Sequence, residues 1–334
     1  MASQPILEID MKAITRKQFG GPEMLEVVEV VAPTVQPGTV MIEVRAFGLN
    51  RAELYMRGGE WGNVAEISGI ECVGRVIADA TNRLSPGQTV MALMGGMGRT
   101  INGSYADYTV VPASNVIPIE TSAPWEVLAA LPETYATAWT CLHRNLELKA
   151  GQRLLVRGGT SSLGQAAIDL AVQLGAEVIA TTRSAERTPL LHGLGAQHVV
   201  TADGALVDAL TPIGRKVDAV LDLIGNSTIV DSMRATRRGG RVCLAGFLGG
   251  LAPVVDFNPL SQMPSGVHLS FFGSFNFGSD DFSLSDIPMQ QIVNLAAEGK
   301  LRVHPSRIFT FSEVAHAHQL MERNEAQGKF VVLT

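Results

Sequence analysis

The segment that most constrains the fold is a glycine-rich turn between a short apolar strand and a helix. The sequence LLVRGGTSSLGQAAIDLA predicts a strand that ends at Arg157 and a helix that begins near Leu163 and is closed by Gly175. Backbone N–H groups at such a helix start can bind a pyrophosphate, and the helix dipole favours its negative charge. The segment therefore predicts a dinucleotide-binding loop, and the alternative for the turn alone is a tight connection without a ligand.

The turn departs from the dinucleotide fingerprint at one position. The fingerprint is G-x-G-x-x-G, whereas Gly159, Ser161 and Gly164 give G-x-S-x-x-G. A serine keeps the backbone N–H but limits how closely a ligand approaches the backbone. The predicted cofactor-binding residues of this loop are Gly159, Thr160, Ser161, Ser162, Leu163 and Gly164.

Strands and helices alternate from Gly151 to about Phe275. EVIATT predicts the second strand, and HVV, VDAVLDLIG, GRVCLAGF and HLSFFGSF predict further strands. This alternation is typical of a parallel, doubly wound sheet of the Rossmann type. The first third of the chain instead predicts strands separated by Gly, Pro and Asn. The predicted fold class is α/β, with a Rossmann-type sheet and a second, β-rich domain.

The end of the second predicted strand distinguishes NAD from NADP. NAD enzymes usually place Asp or Glu there, where it binds the ribose 2′-hydroxyl. This strand instead runs into Thr182, Arg183 and Ser184, and Arg187 follows. The arginines can form charge-assisted hydrogen bonds to a 2′-phosphate, and Ser184 can add a hydroxyl. The segment predicts NADPH as the cofactor, and the alternative is a solvated loop with ordinary surface arginines.

Composition and charge argue against several classes of protein. The chain has 334 residues, 46% hydrophobic and 17% charged, which is enough for two domains with large cores. The net charge is −6 and no segment clusters Lys and Arg, which argues against a nucleic-acid partner. No apolar run reaches membrane-spanning length, and the N-terminus lacks a signal-peptide pattern. Cys72, Cys141 and Cys243 lie far apart among apolar neighbours, so we expect reduced, buried thiols and a soluble cytoplasmic protein.

Several motifs resemble the quinone oxidoreductase branch of the medium-chain dehydrogenase/reductase superfamily, the branch that includes zeta-crystallin. They are MKAITRKQFGGPEMLEVVEV, FGLNRAELYMRGG, GIECVGRV, ATAWTCL, the cofactor loop, VIATTRSAER and GKFVVL. The resemblance covers nearly the whole chain from Met11, and residues 1–10 precede the family's usual start. It implies a GroES-like substrate domain at 1–126 and 278–334, and an NADPH-binding Rossmann domain at 127–277.

The resemblance also implies how the active site is assembled. The ligand cleft would lie between the domains, and two copies would form a homodimer through edge strands near residues 266–275. Thr137 matches a family position beside the nicotinamide. Gly225, Gly246 and Phe247 lie at the ends of later strands, where the ligand crevice of such a sheet is found. For Phe247 the alternative is an ordinary core residue.

The zinc ligands of zinc-dependent relatives are missing. In those relatives a Cys follows the strand that ends here in FGL, and a His precedes the Glu of a G-H-E motif. Asn50 and Ile70 occupy those two places. Isoleucine cannot ligate zinc, an amide is a poor ligand, and no closely spaced cysteines offer a structural zinc site. We therefore expect no metal.

Asn50 and Tyr55 are the candidate catalytic residues, because they match polar family positions near the nicotinamide. The Asn amide can donate to a substrate oxygen or to the nicotinamide ribose, and the Tyr hydroxyl can donate a hydrogen bond or a proton. The alternatives are a helix cap for Asn50 and a cleft-wall aromatic for Tyr55. Trp61 occupies the place of a Tyr found in several relatives, including enoyl thioester reductases, and its indole is not a useful acid.

These features predict an NADPH-dependent reductase of quinones or small α,β-unsaturated carbonyl compounds. Hydride transfer needs no protein nucleophile, because the cofactor carries the chemistry. One alternative is an enoyl thioester or alkenal reductase, which Trp61 disfavours. Another is an NADPH-binding sensor or RNA-binding protein with little turnover, which the absence of a basic stripe disfavours. The missing ligands disfavour a zinc alcohol dehydrogenase.

Overall fold

The polypeptide falls into two structural units. The residues that the structure, a computed structural model, describes are 10–201, 206–214, 216–302 and 304–334. The first unit comprises Met1–Glu133 and Ser274–Thr334, and the second comprises Thr134–Gly273. These limits lie a few residues from those expected for the two domains, and the assignment of substrate and cofactor to the domains stays a prediction.

The regular elements of the described residues alternate as follows. The strands are β1 (Asp10–Arg16), β2 (Leu25–Val31), β3 (Thr39–Gly48), β4 (Glu71–Asp79), β5 (Thr89–Leu93), β6 (Tyr108–Pro112), β7 (Val116–Pro118), β8 (Arg153–Arg157), β9 (Glu177–Thr182), β10 (His198–Thr201), β11 (Val217–Asp222), β12 (Thr236–Leu244), β13 (His268–Phe271), β14 (Arg307–Thr310) and β15 (Phe330–Leu333). The helices are α1 (Arg51–Gly58), α2 (Trp125–Leu128), α3 (Pro132–Thr140), α4 (Ser162–Leu174), α5 (Thr188–Gly193), α6 (Leu206–Leu210), α7 (Ile229–Ala235), α8 (Pro259–Gln262), α9 (Met289–Ala297) and α10 (Val314–Glu322).

The first unit is built on a mixed sheet in the order β14-β15-β3-β4-β5-β7, with β6 also paired to β3. The central strand β3 is bulged where it pairs with β4. Gly74 of β4 permits this, because a Cβ there would lie 1.9 Å from the carbonyl oxygen of Glu43. On one face Phe47 stacks on Tyr105 with ring centroids 4.7 Å apart, and both residues are fully buried. The β-rich character predicted for the first third is confirmed.

The second unit contains a parallel sheet in the order β10-β9-β8-β11-β12-β13. The order reverses direction between β8 and β11, which is where open α/β sheets bind their ligands, beyond the carboxyl ends of the strands. Buried Leu155, Ile179, Val220 and Val242 contribute one core residue from each of four strands. This is the Rossmann-type sheet that the alternating pattern predicted.

The local predictions around the cofactor loop agree with the structure almost residue by residue. Strand β8 ends at Arg157, and β9 covers the segment EVIATT. Helix α4 begins at Ser162, one residue earlier than expected, and Gly175 caps its C-terminus with φ of +83°. The three cysteines are buried and form no disulfide among the described residues, as predicted. Among the residues described, no helix is long and apolar enough to cross a membrane.

Helix α4 approaches the preceding turn so closely that only glycine fits at position 164. A Cβ on Gly164 would lie 2.4 Å from the carbonyl oxygen of Gly158 and 2.8 Å from the Cα of Gly159. We therefore expect Gly164→Ala to lower the free energy of unfolding, measured in urea, by about 1–3 kcal/mol. Gly193, in α5, has no atom within 4 Å of its built Cβ, so Gly193→Ala should be neutral or stabilising by up to about 1 kcal/mol. A Gly164→Ala protein as stable as wild type would contradict the close approach.

Candidate active site and cofactor site

Ser161 closes the cofactor loop with its side chain. Its Oγ donates to the carbonyl oxygen of Gly158 over 2.8 Å and accepts from the backbone N–H of Gly164 over 3.1 Å. Ser161 is thus the N-cap of α4, with φ of −71° that any residue can adopt. This explains the departure from the fingerprint, because the middle position requires no glycine conformation and its hydroxyl organises the turn. Thr160, Ser162 and Leu163 complete the loop around this cap.

The loops that follow β8, β11 and β12 touch one another at the carboxyl edge of the sheet. A Cβ on Gly158 would lie 3.2 Å from the side chain of Ile224 in the loop after β11. Gly225 has φ of +110°, and a Cβ there would lie 3.1 Å from the carbonyl oxygen of Gly246. The structure therefore brings the predicted residues Gly225 and Gly246 together beside the turn that begins the cofactor loop.

Asp222 holds the loop after β11 in shape. Its fully buried carboxylate accepts the backbone N–H groups of Ile224 and Gly225 over 2.9 and 3.1 Å, and the hydroxyls of Thr228 and Ser232 over 2.9 and 2.6 Å. The carboxylate is saturated by these donors from its own unit. Asp222 therefore fixes the backbone at Gly225, and its carboxylate is engaged by protein donors.

The end of β9 carries the predicted phosphate-binding residues. Thr182 organises the turn, because its Oγ1 accepts the backbone N–H of Ser184 over 3.2 Å and donates to the Ser184 carbonyl over 3.1 Å. Arg183 is exposed, and Arg187 is partly exposed at the end of the short helical turn that follows. The backbone N–H of Gly159 donates to the Thr181 carbonyl over 3.1 Å. The end of β9 is therefore tied directly to the cofactor loop.

Two other predicted cofactor residues occupy different environments in the second unit. Thr137 is 2% exposed in α3. Phe247 is only partly buried, and its ring centroid lies 6.2 Å from that of Phe271 at the edge strand β13. Phe247 is therefore not a fully buried core residue, and its contact with the cofactor stays a prediction.

Asn50 precedes α1, and its side chain is bonded at both ends. The amide Nδ2 donates to Glu71 Oε1 over 2.8 Å, and Oδ1 accepts from Lys329 Nζ over 2.7 Å. Its backbone N–H donates to the carboxylate of Glu53, three residues along the helix. The backbone of Asn50 therefore takes part in a capping box, while the side chain is oriented by two other residues. Asn50 is 9% exposed, so the residue is almost fully buried.

Asn50, Glu53, Glu71 and Lys329 form a buried group of charges, here called the Lys329 cluster. Both carboxylates are fully buried, and Lys329 is 5% exposed and donates to Glu71 Oε1. Glu71 Oε2 also accepts the backbone N–H of Glu133 over 2.7 Å. One ammonium cannot balance two carboxylates. Burial accordingly raises the pKa of Glu53 to about 8, although Lys329 opposes the rise, and Glu71 adds to it.

Tyr55 lies on the second turn of α1, half-buried, with its ring centroid 5.7 Å from that of Trp61. Burial raises the pKa of the Tyr55 hydroxyl, Arg51 lowers it and Glu60 raises it. The hydroxyl is therefore protonated at neutral pH and can donate a hydrogen bond. The structure thus places both candidate catalytic residues on one short helix, Asn50 at its N-cap and Tyr55 on its second turn.

The residues at the family's zinc position do not fit a metal ion. Asn50 is held by Glu71 and Lys329, and the Ile70 side chain is apolar and buried. A cation already lies there, because the Lys329 ammonium contacts both Asn50 Oδ1 and Glu71 Oε1. Among the described residues no group of three or more His, Cys, Asp or Glu side chains is arranged to hold a metal.

Sequence reasoning missed Glu53, Glu71 and Lys329. The signals were present, because Glu71 lies in GIECVGRV and Lys329 in GKFVVL, two of the motifs that carry the resemblance. They could not be paired from sequence, since the Lys329 and Glu71 side chains meet across 258 residues of chain. Glu53 had a local signal, since it lies three residues after an N-cap Asn.

The Lys329 cluster predicts a large loss of stability when its cation is removed. Lys329→Met leaves Glu71 buried without a counter-charge, so we expect the free energy of unfolding to fall by about 3–5 kcal/mol. Lys17→Met is the matched control, because Lys17 pairs with Glu26 over 2.9 Å on the surface and its loss should cost at most about 1 kcal/mol. Equal effects of the two substitutions in urea unfolding would show that the buried ion pair does not support the fold.

Comparisons with known proteins agree with this architecture. Residues 36–121 match the family model described as "Alcohol dehydrogenase GroES-like domain", and residues 194–332 match "Zinc-binding dehydrogenase". The rat quinone oxidoreductase is 26% identical to this chain. The alignment is 337 residues long and covers 97% of this chain and 98% of the rat protein.

Solved structures resemble the chain over its full length. The quinone oxidoreductase of Coxiella burnetii is 27% identical with a TM-score of 0.83, and the match covers 98% of this chain and 100% of that protein. Mycobacterial Rv1454c, solved in complex with NADPH, is 26% identical with a TM-score of 0.84, covering 97% of this chain and 100% of that one. With its Rossmann-type sheet and its GroES-like domain, the chain is similar to quinone oxidoreductases over nearly its whole length.

Proposed function

We propose that this protein is an NADPH-dependent reductase of quinones or small α,β-unsaturated carbonyl compounds that works without zinc. The observation that carries the proposal is the serine-capped loop between β8 and α4, tied to strand β9, which is followed by Arg183 instead of an acid. The quinone oxidoreductases of rat and Coxiella and the NADPH complex of the mycobacterial relative support it. We further propose a cytoplasmic homodimer, on the family resemblance.

The residues present fit a dinucleotide. The first N–H groups of a helix have no partner within it, and Ser161 takes that of Gly164, so those of Ser162 and Leu163 can bind the pyrophosphate. Gly225 and Gly246 keep side chains away from the crevice edge where the nicotinamide half would lie. Bound NADPH supplies the hydride.

The 2′-phosphate of NADPH would bind at the end of β9. Within the described residues Arg183 makes no ion pair or side-chain hydrogen bond, so its guanidinium is available to an anion. Arg187 would approach the phosphate from the following turn, and Ser184 would contribute its hydroxyl. A guanidinium binds phosphate through two parallel hydrogen bonds, which discriminates against the 2′-hydroxyl of NADH.

Asn50 and Tyr55 would act on the substrate oxygen. Glu71 and Lys329 orient the Asn50 amide, and its Nδ2 makes only long contacts of 3.5 Å to the Gly48 carbonyl and Glu53 Oε1, which a substrate oxygen would replace. A preorganised donor stabilises a developing enolate or hydroquinone anion. The protonated Tyr55 hydroxyl supplies a second donor on the same helix.

The absence of zinc chemistry is proposed from the side chains themselves. Asn50 and Ile70 stand at the ligand positions, and the Lys329 ammonium already neutralises part of the charge of Glu71. The substrate oxygen would therefore be polarised by hydrogen bonds instead of a Lewis acid.

The first functional prediction is a preference for NADPH over NADH. Loss of charge-assisted bonds to the phosphate costs about 1.5–3 kcal/mol, so NADPH should bind about ten- to a hundredfold more tightly. Arg183→Gln should weaken NADPH binding and leave NADH binding nearly unchanged, whereas Arg234→Gln, at an exposed site on α7, should alter neither. Calorimetric titration of both cofactors measures this.

NADPH oxidation by a quinone should also persist in a metal chelator. Equal affinity for the two cofactors, or activity lost to the chelator and restored by zinc, would overturn the proposal.

The second functional prediction separates enones from quinones. Tyr55→Phe should lower enone turnover by about a hundredfold and quinone turnover by less than tenfold, because an enolate needs stabilisation and protonation that a hydroquinone anion needs less. Asn50→Ala should lower both rates without weakening NADPH binding. Tyr108→Phe, another half-buried tyrosine of the first unit, is the control. Steady-state rates on one quinone and one enone test this prediction. If Tyr55→Phe and Asn50→Ala both keep wild-type rates, Tyr55 has only a packing role and Asn50 only a capping role.

A further inference from the structure

Arg99 is held by two aromatic rings and has no protein anion beside it. Its Cζ lies 5.5 Å from the ring centroid of Trp61 and 5.7 Å from that of Phe275. In the part of the chain that the structure describes, Arg99 makes no ion pair and no side-chain hydrogen bond. Its five N–H donors are therefore not engaged by a carboxylate or carbonyl there.

The backbone around Arg99 is fixed by a tight glycine-rich turn. The N–H groups of Arg99 and Thr100 both donate to the carbonyl oxygen of Gly96 over 2.9 Å, and that of Ile101 does so over 3.1 Å. Gly98 has φ of +70°, and a Cβ there would lie 3.2 Å from the backbone nitrogen of Gly69. The turn fixes the backbone position from which the Arg99 side chain extends to the two rings.

The rings connect Arg99 to the candidate catalytic residue Tyr55. Both contact Trp61, whose ring centroid lies 5.7 Å from that of Tyr55 and 5.5 Å from the Arg99 Cζ. Phe275, the second ring that contacts Arg99, is 54% exposed. Tyr55 and Arg99 thus place a phenol and a guanidinium against the same indole ring.

We propose that Arg99 binds a carboxylate carried by the substrate while Tyr55 contacts the carbonyl that is reduced. The inference rests on the proposed function and names its substrate class, an enone or quinone with an anionic group about one aromatic ring away from the reacting carbonyl. The guanidinium is a planar fork that pairs with a carboxylate through two hydrogen bonds, and aromatic rings beside it favour its charge.

The experiment compares a carboxylate with its ester on an otherwise identical enone. The pair is para-carboxybenzalacetone and its methyl ester, assayed with wild type, Arg99→Gln, Arg99→Lys and Arg307→Gln. Arg307 is the control, because it also lies over a ring, 5.0 Å from the centroid of Phe309, and is exposed in the same unit. We expect wild type to favour the acid in kcat/KM. Arg99→Gln should reduce the acid-to-ester ratio about ten- to a hundredfold, Arg99→Lys should reduce it less, and Arg307→Gln should leave it unchanged.

Equilibrium binding of the acid to the same four proteins provides a readout that does not depend on turnover. Acid binding weakened tenfold or more by Arg99→Gln supports the subsite even if neither compound is reduced, in which case the proposed function fails and the subsite stands. Ester reduction together with an acid-to-ester ratio that Arg99→Gln leaves unchanged overturns the subsite and keeps the proposed function. Equal losses for acid and ester would assign Arg99 to packing against Trp61 and would also overturn it.

Discussion

The contact between Lys329 and Glu71 is the constraint on which the first unit depends. Lys329 immediately precedes β15, Glu71 begins β4, and Asn50 follows β3, so the cluster joins the ends of three neighbouring strands of one sheet. Buried charges are tolerated only when they are paired. The C-terminal segment must therefore return to the sheet in one register, and that register in turn orients the Asn50 amide.

The charge balance of this cluster is consistent with the proposed function without zinc at a position where relatives hold a metal ligand. Two buried carboxylates need more positive charge than one ammonium supplies, and the raised pKa of Glu53 means that a proton provides the rest. The chain supplies one positive charge as the Lys329 ammonium, and solvent supplies the other as the proton on Glu53. A positively charged ion added beside Lys329 would face an ammonium and an amide already bonded on both sides, which is a poor set of ligands.

The sequence predicted what depends on neighbouring residues and missed what depends on distant ones. Strands β8 and β9 and the cap at Gly175 were predicted closely, because apolar runs and glycines encode them locally. Ser161 was recognised as a departure, but its role as a cap needed the turn geometry. Lys329 and Glu71 meet only after the sheet has formed, and the contacts of Arg99 need a tight turn and two separate segments to be in place. Such contacts follow from register, which no local pattern encodes.

This difference also explains why the cofactor is easier to derive from the sequence than the substrate. The proposed cofactor site acts mainly through backbone N–H groups and close approaches at Gly158, Gly164 and Gly225, where few residues are compatible with the geometry. The proposed substrate site acts through the side chains of Tyr55 and Arg99, which leave the backbone unchanged when substituted. Selection can therefore exchange those side chains without disturbing the fold or the cofactor loop. Chains with the same dinucleotide pattern can thus differ in the electrophiles they reduce, and the chemistry of the residues around Trp61 is where that difference should be sought.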